Sequence, residues 1–142
     1  MNQSFAALLL AARRERQLVI ATALTDGAPS GQARQARLAQ QQGAGAAELR
    51  ADLLVDPAQV RAALTAVRAA SSLPLLLTYR SATEGGKGAG HGQGYEDYLA
   101  SLLQLRPAVA AVDIEMACPA SKALVAEAKA GGYDVVGSCH DF

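Results

Sequence analysis

The chain has 142 residues, of which 51% are hydrophobic, 18% charged and 4% aromatic, and its thirteen basic and thirteen acidic side chains cancel. That length suits one domain, residues 1–142, burying roughly 70% of its unfolded surface around Ala, Leu and Val, and the composition excludes a disordered chain. Balanced charge without a long Lys or Arg run excludes a nucleic-acid patch, and the two cysteines, Cys118 and Cys139, form neither a secreted disulfide framework nor a Cys-x-x-Cys motif, so no nucleic-acid partner and a reducing cytoplasm are expected.

The apolar stretch Phe5 to Ala12 lacks the basic lead and cleavage site of a signal peptide. It also falls short of the roughly 20 residues a membrane span needs. An amphipathic helix over residues 1–16 is therefore predicted and no membrane contact, with Arg13-Arg14-Glu15-Arg16 as a solvated helix face. Leu18 to Leu24 has the β-branched, apolar character of a buried strand, and Thr25 to Ser30 reads as a loop and helix cap. The Ala- and Gln-rich segment Gly31 to Gln42 suits a helix ended by Gly43 and Gly45. Ala46 to Leu54 is the second predicted strand, Pro57 opens a helix through about Ala70, and Pro74 begins a third strand that runs into Arg80.

Six glycines between Gly85 and Gly94 predict a mobile loop or lid, followed by a helix from about Tyr95 to Leu105 that Pro107 breaks. Val109 to Met116 is the fourth strand, Pro119 to Ala130 a helix stopped by Gly131-Gly132, and Asp134 to Cys139 the fifth strand. Strands alternating with helices at this spacing indicate right-handed βαβ units and a parallel sheet. Either an open doubly wound sheet or a barrel satisfies the pattern.

Charge gathers where these strands end. Glu48 and Arg50 lie two apart on one strand and share a face, while Leu49 and Ala51 take the other, so the two charges are either an ion pair within the sheet or functional. Arg80 ends the third strand, Glu84 follows in the loop, and His140 ends the fifth. A barrel would gather them on the rim at the C-terminal ends of its strands, giving a proton-transfer base, a carboxylate able to orient it and two guanidinium groups for oxygen-rich ligands. Asp113 and Glu115 share a face at the end of the fourth strand with no assigned role. The glycine loop matches neither the Gly-x-Gly-x-x-Gly dinucleotide pattern nor a phosphate loop ending in Gly-Lys-Ser/Thr, so no cofactor is expected. His91, His140, Cys118 and Cys139 have no common zinc-site spacing, so no metal is expected either.

Four ordered blocks from about residue 18 onward resemble the type I 3-dehydroquinate dehydratase family: Glu48-Leu49-Arg50-Ala51-Asp52, Leu77-Thr78-Tyr79-Arg80-Ser81 with Glu84-Gly85-Gly86, Val112-Asp113-Ile114-Glu115, and Ser138-Cys139-His140-Asp141-Phe142. The resemblance implies an α/β chain forming an incomplete (β/α)8 TIM barrel, with about five parallel strands and intervening helices over residues 18–142 and an N-terminal helical extension. It implies a shikimate-pathway lyase that removes water from 3-dehydroquinate, a small molecule, through a covalent imine. By that likeness His140 takes the substrate C2 proton and later helps expel the hydroxyl, Glu84 holds and polarises His140, and Glu48, Arg50 and Arg80 bind ring hydroxyls. The imine-forming lysine of the family falls beyond Phe142, and Lys87, Lys122 and Lys129 do not stand in its context.

A half barrel has open strand edges and inner faces that need cover, so a homo-oligomer or a missing C-terminal half is expected as partner. Two other readings follow from the same residues. One is a non-catalytic half barrel that binds a polyhydroxylated acid or a partner chain. The other is an unrelated open α/β sheet, which would scatter Glu48, Arg80 and His140 over different faces.

Overall fold

The computed structural model describes residues 4–105 and 109–141. The break expected at Pro107 lies outside the described residues. A helix, α1 (Phe5–Glu15), starts where the Ser4 hydroxyl accepts the Ala7 amide, and ends where Arg16 turns left-handed at φ 54°. Five strands follow: β1 (Ala21–Leu24), β2 (Ala46–Arg50), β3 (Leu75–Thr78), β4 (Ala111–Glu115) and β5 (Asp134–Ser138). Between them run α2 (Pro29–Gln41), α3 (Pro57–Ala70), α4 (Gln93–Leu103) and α5 (Ser121–Ala130). Proline sits in the first turn of α2 and α3, where no amide donor is needed, and the Asp56 carboxylate caps α3 through the Gln59 amide at 2.8 Å.

All four strand pairs are parallel and the order is β1-β2-β3-β4-β5. Sequential order decides between the two topologies, because a doubly wound sheet reverses its order at a switch point and this sheet does not. The result is a run of consecutive barrel strands. Side-chain alternation then separates two faces. Leu24, Leu49, Leu75, Leu77, Val112 and Ile114 are fully buried in one core with α2 to α5. On the opposite, inner face near the strand starts, Phe5 of α1 packs with Ala46, Leu76 and Ala111 and closes the floor. The Asp134 carboxylate accepts from the Ser4 hydroxyl and the Ala6 amide, both at 2.8 Å, which ties α1 to the start of β5.

Several strands are shorter than the apolar runs that encode them. β2 stops at Arg50, and Ala51–Leu53 form a 3-10 turn that swings Asp52 back under the strand ends. β3 stops at Thr78, yet Tyr79 and Arg80 stay buried. The apolar run before β1 remains unpaired at its start, with Leu18 95% and Ile20 64% exposed.

Candidate active site

The C-terminal ends of the strands carry the charge. Register places Glu48 beside Leu76, and Arg50 beside Thr78, on the inner face, while Leu49 points into the helical core. Arg50 does form an ion pair, but with Asp52 rather than Glu48: Nε and Nη2 each lie 2.8 Å from one carboxylate oxygen. Those hydrogen bonds raise the Arg50 pKa. Burial pushes the Asp52 carboxyl up, but hydrogen bonds from Arg50 and from the Lys87 and Arg80 amides outweigh it and hold Asp52 below the usual carboxylate range. Glu48 is half-buried and makes no hydrogen bond or ion pair with another described residue, although Arg50 and Asp113 feel its charge.

Arg80 is the hub. Nη1 lies 3.0 Å from Glu115, 2.9 Å from the Ser138 hydroxyl and 3.5 Å from Glu84, and Nη2 lies 3.2 Å from Asp113. Burial alone would lower its pKa, and the charges of Asp113 and Glu115 reverse that. Ser138 donates in turn to Asp113 at 2.7 Å. Desolvation wins at Asp113, whose carboxyl is pushed up, whereas at fully buried Glu115 the Ser81 hydroxyl and amide, His91 and Arg80 overcome desolvation and lower it. Three carboxylates, Glu84, Asp113 and Glu115, therefore surround one guanidinium group.

Glu84 joins this cluster to His140. Its Oε2 lies 2.8 Å from His140 Nδ1 and accepts the His140 backbone amide at 3.1 Å, while its Oε1 is buried with no hydrogen-bond partner. The Thr78 hydroxyl is buried and likewise has no hydrogen-bond partner. The imidazole itself is 39% exposed, at the end of an edge strand. Arg80, Glu84 and His140 are thus in contact, Arg50 is linked to Arg80 through Asp52, and Glu48 shares the inner face without a hydrogen bond or ion pair to them.

The glycine-rich loop is tied down rather than loose. The Gly86 and Gly88 amides bond the Ser81 and Arg80 carbonyls at 2.7 and 3.0 Å, and a Cβ at Gly86 would collide with the Arg80 carbonyl. Glycine is needed there for close approach. The Lys87 amide donates to Asp52 at 3.0 Å and the Ala89 amide to the Tyr79 hydroxyl at 2.9 Å. The loop ends by placing His91 Nε2 2.6 Å from Glu115.

Asp52, Ser81, Glu115, Ser138 and His91 were not among the predicted site residues. Asp52 and Glu115 carried a signal, since each follows another charged residue at strand spacing, whereas His91 became visible only once the loop's path was known. Glu84, His91 and Glu115 offer donor atoms within 4.8 Å of one another. Arg80 already supplies positive charge to both carboxylates.

A sequence profile described as type I 3-dehydroquinase matches residues 20–142. The 3-dehydroquinate dehydratase of Methanosarcina barkeri is 37% identical over 110 residues, which are 75% of this chain and 46% of that protein. The one from Methanoregula boonei is 40% identical over 122 residues, 85% of this chain and 51% of that protein. The solved structure of 3-dehydroquinate dehydratase from Enterococcus faecalis superposes with a TM-score of 0.76 at 26% identity, over 87% of this chain and 54% of that one. The chain thus spans about half the length of the curated relatives it matches.

Proposed function

The chain belongs to the type I 3-dehydroquinase family, and from that premise we propose that its rim carries the proton-transfer and ring-binding half of a 3-dehydroquinate dehydratase. The observation that carries this reading is the Glu84 carboxylate on His140 Nδ1, with Arg80 against the same oxygen. A carboxylate on Nδ1 selects the tautomer in which Nε2 is the basic nitrogen. Nε2 then takes the C2 proton of the substrate imine, the C–H electron pair moving into the carbon–nitrogen system. The resulting imidazolium returns that proton to the departing C1 hydroxyl, which leaves as water.

An imine is protonated when it activates the adjacent C–H bond, and three carboxylates around one guanidinium group suit such a positive centre. Arg50, Glu48 and the unfilled acceptors Glu84 Oε1 and Thr78 Oγ1 bind ring hydroxyls. The imine-forming lysine is none of Lys87, Lys122 or Lys129, because Lys87 lies exposed in the glycine loop and the other two are exposed on α5. A cytoplasmic place accords with two unpaired cysteines. No helix among the described residues is long and apolar enough to cross a membrane.

Titration calorimetry of the chain with 3-dehydroquinate and with its dehydrated product tests this reading. Heat of binding is expected, weakened about tenfold by Arg50→Ala, a loss near 1.4 kcal/mol. No heat with either compound sinks the proposal. Borohydride reduction followed by mass measurement checks the lysine assignment, since an adduct on Lys87, Lys122 or Lys129 would contradict it. The open edges of β1 and β5 and the exposed Leu18, Ile20 and Leu38 support association with a second copy or with a C-terminal half.

A further inference from the structure

We infer that His91 is a positioning residue that sets how much of Arg80 is given to Glu84, and through Glu84 the behaviour of His140. The two imidazoles stand at opposite ends of one chain of contacts. His91 Nε2 lies 2.6 Å from Glu115, Glu115 lies 3.0 Å from Arg80, Arg80 lies 3.5 Å from Glu84, and Glu84 lies 2.8 Å from His140 Nδ1. The same guanidinium nitrogen, Nη1, serves both carboxylates, so what Glu115 receives from elsewhere decides how strongly it competes for that nitrogen.

Glu115 has few ways to satisfy itself. It is fully buried, and its oxygens take the Ser81 amide, the Ser81 hydroxyl, Arg80 and His91. Removing the His91 donor leaves a buried carboxylate short of one hydrogen bond, and the nearest cation able to make up the loss is Arg80. Arg80 then moves toward Glu115 and away from Glu84. Glu84, less neutralised, holds the protonated His140 ring more tightly.

His91 is well fixed for this role. Its ring is 13% exposed, stands edge-on to Tyr95 of α4 with centroids 5.5 Å apart, and its amide donates to Thr83 at 2.9 Å. The groups in contact with the relay are Asp113 of β4 and Ser138 of β5 on Arg80, Ser81 on Glu115, and Tyr95 of α4 against the His91 ring. Asp113 holds Nη2 and the Ser138 hydroxyl shares Nη1 with the two glutamates, so the motion of Arg80 is a redistribution among four partners rather than a release.

The inference rests on the proton-transfer reading of His140, but its test does not need turnover. Ring resonances of both histidines are followed by proton–nitrogen NMR against pH in the unaltered chain, in His91→Gln and in His91→Ala. The alanine variant is expected to raise the pH midpoint of His140 by about half a unit. His91→Gln, which can place an amide donor near Nε2, is expected to stay within about a tenth of a unit of the unaltered chain. Equal midpoints in all three overturn the inference. So does a shift in His91→Gln as large as that in His91→Ala, because loop packing rather than the donor would then be responsible. If His91→Ala does not fold, the unaltered chain decides: the His140 curve must bend where the His91 ring changes charge, and a single-site curve overturns the coupling. Binding of 3-dehydroquinate can fail while this coupling holds, so the two failures are told apart.

Discussion

The middle of the sheet and its two edges obey different rules. β3 is buried along its whole length, and the residues just beyond it, Tyr79, Arg80 and Ser81, remain buried as well. β1 buries only Leu24, and every residue of β5 is at least partly exposed. The charged apparatus follows the same division: Arg80, Glu84 and Glu115 are locked at the centre, while His140 reaches them from an edge. Rigidity at the rim thus comes from buried charge, and His140 joins that cluster through the Glu84 carboxylate. Changes at the centre should therefore cost folding, and changes at the edge should cost association or ligand behaviour.

The largest effect should come from the centre. Glu115→Ala leaves Arg80 buried with one fewer carboxylate, and breaking a buried pair from one side costs about 3–5 kcal/mol. Denaturant unfolding measures it, and a loss below about 1 kcal/mol would break the division between centre and edge. Asp52→Ala comes next, at about 1–3 kcal/mol, because it strips the partners from Arg50 and from two backbone amides. Hydrogen exchange should show the Lys87 amide losing protection while amides of β3 itself keep theirs.

Acid sharpens the comparison further. The carboxyls of Asp52 and Glu115 are lowered in the fold, so the stability they contribute is present above their unfolded pKa near 4 and is lost as pH falls through their folded values. Asp113 is raised, so its contribution runs the other way: full below its unfolded value and lost as pH rises through the folded one. Stability should therefore fall below about pH 5, and Asp113→Asn should steepen that fall by removing the opposing group. Denaturant midpoints taken across the acid range test this. An unchanged slope in Asp113→Asn would show that desolvation of Asp113 is not the dominant influence on it.

The alternation of elements was legible because each signal was local: Pro57 at a helix start, Gly43 in a left-handed turn at φ 86°, and apolar runs of strand length. Sheet order was not, since periodicity leaves open whether the next strand lies beside the last one or on the far side. Arg80, Glu84 and His140 could be nominated from strand ends and from the family likeness. Their binding partners could not, because Asp52 acts only after β2 stops early and a 3-10 turn swings the carboxylate back. His91 is the clearest case. Six glycines near it suggested freedom, but those at Gly86 and Gly88 serve close approach to Arg80, and that tight path brings the imidazole to Glu115.

The smallest effect on stability belongs to the edge. Ile20 lies 64% exposed and lines a groove with Thr22, Gln35 and Leu38 between β1 and α2, so Ile20→Thr removes little that is buried. Its unfolding free energy should stay within about 0.5 kcal/mol of the unaltered chain, as for surface changes in general. An exposed parallel edge flanked by Leu18 and Ile20 nevertheless offers unpaired backbone and apolar area to another chain. Sedimentation velocity over a concentration series should therefore show Ile20→Thr, and more so Leu18→Ser with Ile20→Thr, shifted toward the monomer. If association were unchanged while stability dropped as far as it does in Asp52→Ala, the β1 edge would be part of the folding core after all, and the division between centre and edge would fail at the strand where it is drawn most sharply.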